Sequence, residues 1–148
     1  MIRSIILGFV TGFLAVLLFH QGTAWLLHHY GNHIPSVVSI FGTVVPPYNM
    51  APTQPFGVPT IFSQAFFGGL WGILLANILR NSTLPDLLFG LVFGALVLTL
   101  VAFTLVAYLK GAPFFANGNR ATWWRAGLYN GMWGFGTALM LRHLGNRN

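Results

Sequence analysis

Between Arg3 and Arg80 the chain carries no Lys, Arg, Asp or Glu. A water-soluble fold cannot cover so long a stretch, because soluble domains are about a quarter charged. Over the 148 residues, 5% are charged and 55% apolar, and a single acid, Asp86, stands against seven Lys and Arg. The chain therefore reads as an integral membrane protein of one domain, 1–148. Its net charge of +6 could point to nucleic acid. However, Arg3, Arg80, Lys110, Arg120, Arg125, Arg142 and Arg147 are scattered singly, whereas a nucleic-acid footprint clusters. Lone cations at the ends of apolar runs are topology determinants and headgroup anchors. The absence of Cys excludes disulfides, thiolate metal sites and Cys nucleophiles.

Four runs reach the roughly 20 apolar residues that a spanning helix needs: about 5–27, 60–79, 87–109 and 123–141. The first follows Met1-Ile2-Arg3 as a signal peptide would. It is too long for a signal h-region and lacks an Ala-x-Ala site, so a retained helix is expected. Continuous apolar runs that do not alternate exclude a β-barrel. The second connection, Arg80 to Asp86, is a short polar turn in which Asp86 suits the positive end of the next helix.

The first connection, 28–59, is uncharged and holds Pro35, Pro46, Pro47, Pro52, Pro55 and Pro59 of the eight prolines. Val37, Phe41, Val44 and Val45 lie opposite Ser36, Ser39 and Thr43 at helical spacing. That pattern predicts a short amphipathic helix of about three turns starting at Pro35, lying at the interface or packed over the bundle. Pro46 to Pro59 is expected to be an ordered extended lid that shelters Tyr48, Met50, Phe56 and Val58 from water.

An internal repeat organises the spans. Gly69-Leu70-Trp71-Gly72 matches Gly131-Met132-Trp133-Gly134, and Gly8-Phe9-Val10-Thr11-Gly12 matches Gly90-Leu91-Val92-Phe93-Gly94. The expected fold is an all-α membrane protein of four transmembrane helices, arranged as two tandem parallel-repeat hairpins. Each helix carries a small-residue stripe for close packing: Gly8 and Gly12, Gly68 and Gly72, Gly90 and Gly94, Gly127 and Gly131, with Gly134 continuing the last. The first connection carries no Lys or Arg, which places both termini in the cytoplasm and that connection outside. Trp25, Trp123 and Trp124 then form an outer aromatic belt.

Polar residues within spans are functional candidates. His20, Gln21, Gln64, Thr104, Tyr129 and Asn130 fall at similar depth in the outer leaflet, and either hold the helices together or face a ligand. His20 should point into the bundle, because an imidazole facing hydrocarbon leaves a donor and an acceptor unpaired. Gln21 lies about 100° around the helix and need not share the same cavity. His28, His29, His33 and His143 lack the convergent partners of a metal site. Haem would need a second axial histidine facing His20. No metal and no cofactor is expected. Without a carboxylate pair, a Cys or a Ser-His-Asp set, no enzymatic chemistry is expected either.

Phe19-His20-Gln21-Gly22, Tyr48-Asn49-Met50-Ala51-Pro52, Pro55-Phe56-Gly57-Val58-Pro59, Leu109-Lys110-Gly111 and Asn130-Gly131-Met132-Trp133-Gly134 resemble a family of small bacterial membrane proteins with no established activity. The resemblance covers nearly the whole chain and implies four helices and a bacterial inner membrane. The expected role is a structural or accessory component among membrane lipids, in a larger complex or a homo-oligomer. The alternatives are a small oligomeric transport or permeation protein, or a lipid- or quinone-binding redox accessory.

Overall fold

The computed structural model describes residues 2–145. It is all-helical: α1 (Ile2–His33), α2 (Pro35–Phe41), α3 (Thr60–Arg80), α4 (Asp86–Leu109) and α5 (Arg120–His143). α1, α3 and α4 are long and apolar enough to cross a membrane. α5 has 24 residues and rises about 36 Å, but it carries Arg120, Arg125 and Arg142 and is not of that apolar class. It packs on α1 and α4 and buries Gly131, Trp133, Gly134, Gly136, Thr137, Ala138 and Leu141.

The helix ends extend past the apolar runs, because polar terminal residues continue a helix once something caps it. α5 begins at Arg120 and not at Trp123, since the Asn119 side-chain oxygen accepts the Thr122 amide at 3.0 Å. α2 is shorter than its pattern predicts. Gly42 takes a φ of +70° and ends it after Phe41, so Val44 is buried from the following segment, not from a helix, and Val45 is exposed.

Two backbone seams hold the bundle. α1 meets α3 where a Cβ on Gly8 would lie 2.6 Å from the Gly72 carbonyl oxygen, and a Cβ on Gly12 would overlap the Gly68 carbonyl. α4 meets α5 where a Cβ on Gly134 would overlap the Gly90 carbonyl, and one on Gly94 the Asn130 carbonyl. Gly131 faces Ala95 with less clearance to spare than Gly127, whose nearest neighbour would be 3.8 Å away. Gly127 therefore belongs to the stripe in sequence but not to the tight seam. The same demand for space falls on Gly69 beneath Phe9 and on Gly136 beneath Phe19.

The two helix pairs are joined through Trp133. Its ring is 1% exposed, and its indole N–H donates to the Gly12 carbonyl oxygen at 2.9 Å. It belongs to one buried cluster with Ala15, Val16, Leu75, Phe93, Ala138 and Leu141. α3 and α4 pack on opposite partners and meet through the edge-on contact of Trp71 with Phe93, centroids 6.4 Å apart.

The cations also tie ends together. Arg3 donates to the Leu144 carbonyl and Arg80 to the buried Ser4 hydroxyl at the termini end. At the other end Arg125 donates to the Phe41 carbonyl at 2.9 Å, which fixes α2 across α5. Asn32 brackets Val44 by accepting its N–H and donating to its C=O, both at 2.9 Å. His28 also contacts that carbonyl, at 2.7 Å. It is thus a loop tie.

Replacing Gly12 or Gly94 by Ala should lower stability in detergent by about 1–3 kcal/mol, the usual cost of overpacking. Gly127→Ala should leave it unchanged or raise it by up to about 1 kcal/mol, through reduced backbone entropy. Thermal unfolding of the three variants checks this, and equal tolerance at Gly12 and Gly127 would contradict the seams.

Candidate functional site

Because α3 and α4 diverge above the Trp71–Phe93 contact, a cleft of about 580 Å³ opens between them at the loop end. Its size lies within the few hundred to about 1,000 Å³ of ligand pockets. α3 contributes Gln64, Phe67 and Trp71, and α4 contributes Leu98, Val101, Ala102 and Val106. The back wall is Val16 and His20 of α1 with Tyr129, Asn130 and Trp133 of α5. Thr53 and Gln54 of the proline-rich segment, with Lys110 at the end of α4, stand at the mouth.

The walls from α1 and α4 are not regular α-helix. Val16–His20 in α1, and Phe93–Leu98 and Ala102–Val106 in α4, are π-helical. Val16, His20, Leu98, Ala102 and Val106 all belong to these segments. A π-turn widens the helix and re-aims the side chains it carries, and such turns recur at functional sites. No residue pattern in the chain announces them.

The structure brings His20, Gln64, Tyr129 and Asn130 to this one cleft. The His20 ring lies 5.2 Å from the Tyr129 ring, centroid to centroid. Asn130 also ties α5 to α4 by donating to the Thr99 hydroxyl at 3.0 Å. The Tyr129 hydroxyl is buried and has no hydrogen-bond partner. Left so, a buried hydroxyl costs about 1–3 kcal/mol.

Gln21 and Thr104 do not line the cleft. Thr104 donates to the Leu100 carbonyl of its own helix at 2.7 Å, so its depth on α4 is right but its face is wrong. Gln21 is buried behind His20 as a latch. Its amide nitrogen donates to Gln64 Oε1 at 3.1 Å and reaches His20 Nδ1 at 3.4 Å, while its oxygen accepts the Tyr48 amide at 2.8 Å. Tyr48 completes the latch by donating its hydroxyl to the Leu17 carbonyl at 2.9 Å. The apolar pattern of the segment gives no sign of this polar role of Tyr48.

The proline-rich segment is ordered and irregular. Thr53 donates to Val58, Gly57 to Thr53, and Thr60 to Ala51, which folds it back on itself before α3. Its apolar side chains are not sheltered by the protein: Phe56 is 87% exposed, and Tyr48, Met50 and Val58 are exposed as well. Backbone bonds and the Thr53 and Thr60 hydroxyls, which donate to the Val58 and Ala51 carbonyls at 2.7 and 2.8 Å, hold the segment, so its order does not depend on burying the apolar side chains.

No family model, no curated protein and no solved structure matches the chain. Fold and site define its class: an all-helical protein, three of whose helices can cross a membrane, with a cleft at one end.

Gln21→Leu should release the proline-rich segment. Hydrogen exchange at the Tyr48 amide should quicken about fivefold or more, the rate equivalent of one lost hydrogen bond. Thr104→Val should leave that exchange unchanged. Unaltered exchange in Gln21→Leu would remove the latch.

Proposed function

We propose that this is a four-span accessory protein of a bacterial inner membrane, without catalytic chemistry of its own, whose cleft receives an amphiphilic molecule from the bilayer. The observation that carries this reading is the cleft itself, apolar along α3 and α4 with His20, Gln64, Tyr129 and Asn130 on its walls. It lies where two spans fail to pack, so a lipid-soluble molecule needs no aqueous route to enter.

Further features support the reading. In α5, the fourth span, packing against α1 and α4 compensates for lower hydropathy. The hairpins α1–α3 and α4–α5 act as parallel repeats: Gly8 on Gly72 is the counterpart of Gly90 on Gly134, and Gly12 on Gly68 that of Gly94 on Asn130. With both termini cytoplasmic, the cleft occupies the outer leaflet beneath Thr53 and Gln54. The only acid in the chain, Asp86, starts α4 at the other end, and no carboxylate or thiol lines the cleft among the described residues. The arrangement suits holding a molecule better than converting it. Association with a larger membrane complex would then give the bound molecule its use.

Two measurements test this. Single cysteines at Asn32 and Ser82 should react with an impermeant maleimide from opposite sides, Asn32 alone labelling in intact cells. A photoreactive residue in place of Val101 should crosslink a lipid-soluble molecule in native membranes, and one in place of Leu105 only bulk lipid. Labelling of Ser82 alone would invert the orientation, and identical adducts at 101 and 105 would remove the cleft as a binding site.

A further inference from the structure

Resting on the cleft reading above, the geometry points to the class of molecule bound: a neutral, planar ring bearing carbonyl oxygens and an apolar tail, as in a lipid-soluble quinone. The hydrogen-bonding sense of the walls carries this. Gln21 presents its amide N–H to His20 Nδ1, so that nitrogen accepts and Nε2 keeps the ring proton as a donor. Gln64 spends its oxygen on Gln21, which leaves its amide N–H₂ to donate. The buried Tyr129 hydroxyl has no acceptor within the protein. Three side chains from three helices thus offer hydrogens, and the complement to such a wall is a set of acceptors.

Charge and shape narrow the class. The one charged residue lining the cleft is Lys110, at the mouth. An anion placed beside Tyr129 would have its countercharge only at the mouth, because Arg125, one turn away on α5, is held by the Phe41 and Thr43 carbonyls; uncharged acceptors therefore suit the inner end best. Carbonyl oxygens meet that condition. Phe67, Trp71 and Tyr129 add aromatic surface that favours a flat ring. The aliphatic Leu98, Val101 and Val106 of α4 run along the open side, where a tail would pass between α3 and α4 into lipid. A phospholipid fits less well, because its phosphate would stay at Lys110 and leave the donors beside Tyr129 unmatched.

The test is binding of a decyl-tailed 1,4-benzoquinone to the detergent-purified full chain, followed by quenching of tryptophan fluorescence. Saturable quenching is expected, and decylbenzene, which keeps the ring and tail but lacks carbonyls, should fail to compete. Tyr129→Phe should weaken binding about five- to tenfold, the equivalent of one hydrogen bond. Its thermal stability should match or exceed the native chain, because the hydroxyl has no partner to lose. Competition by decylbenzene equal to that of the quinone, or unchanged affinity in Tyr129→Phe, would overturn the inference. Saturable binding of phosphatidylglycerol with none of the quinone would overturn it too and leave the cleft reading standing. Saturable binding of no amphiphile would remove both.

Discussion

The hydrogen bond from the Trp133 indole to the Gly12 carbonyl is the interaction on which the arrangement depends. It crosses from α5 to α1, the two helices that join the pairs. Gly68 leaves room for it, since a Cβ there would lie 3.0 Å from the Gly12 carbonyl oxygen and 3.1 Å from the indole nitrogen. The glycine that lets α1 onto α3 thus also clears the space in which α1 and α5 make this bond. In hydrocarbon, where water cannot take the place of a lost partner, an indole N–H without an acceptor is costly. Trp133 thereby ties α5 to α1 and lines the space between α3 and α4.

The cleft follows from this as a consequence of geometry. Trp133 fills the centre, so Trp71, its counterpart in the sequence repeat, is left at the edge against Phe93. Above that contact the π-helical turns of α1 and α4 widen the walls, and nothing from α3 or α4 closes the gap. The Gln21–Tyr48 latch then holds Thr53 and Gln54 over the mouth. Core packing and site are therefore one construction. The residues that join the helix pairs are also those that keep α3 from α4.

Much of the helical frame was legible in the sequence because it depends on composition and spacing. Apolar run lengths matched α3 and α4 almost to the residue, while α1 continues past the expected 27 to His33, and the glycine spacings marked the faces where Gly8 meets Gly72 and Gly90 meets Gly134. The remainder depends on side-chain direction and on local backbone choices that periodicity does not encode. Thr104 sits at the expected depth but turns to its own helix, and Gln21 stands behind His20, holding the loop and not lining the cleft. Gly127 repeats the spacing without the contact. One left-handed residue, Gly42, cuts short a helix whose pattern continues through Val45. The π-turns have no signature, so a cleft between α3 and α4 could not be read in advance, although His20, Gln64, Tyr129 and Asn130 on its walls could be named.

The central claim is that α3 and α4 stand apart around an apolar cleft whose buried tyrosine hydroxyl awaits an acceptor from a membrane-borne molecule. The most direct measurement is an experimental structure of the full chain in lipid nanodiscs made from native membrane extract. The account predicts elongated density between α3 and α4, bordered by Leu98 and Val101, with an atom within hydrogen-bond distance of the Tyr129 hydroxyl. Closure of α3 on α4, with Tyr129 bonded to a group of the protein itself, would contradict it.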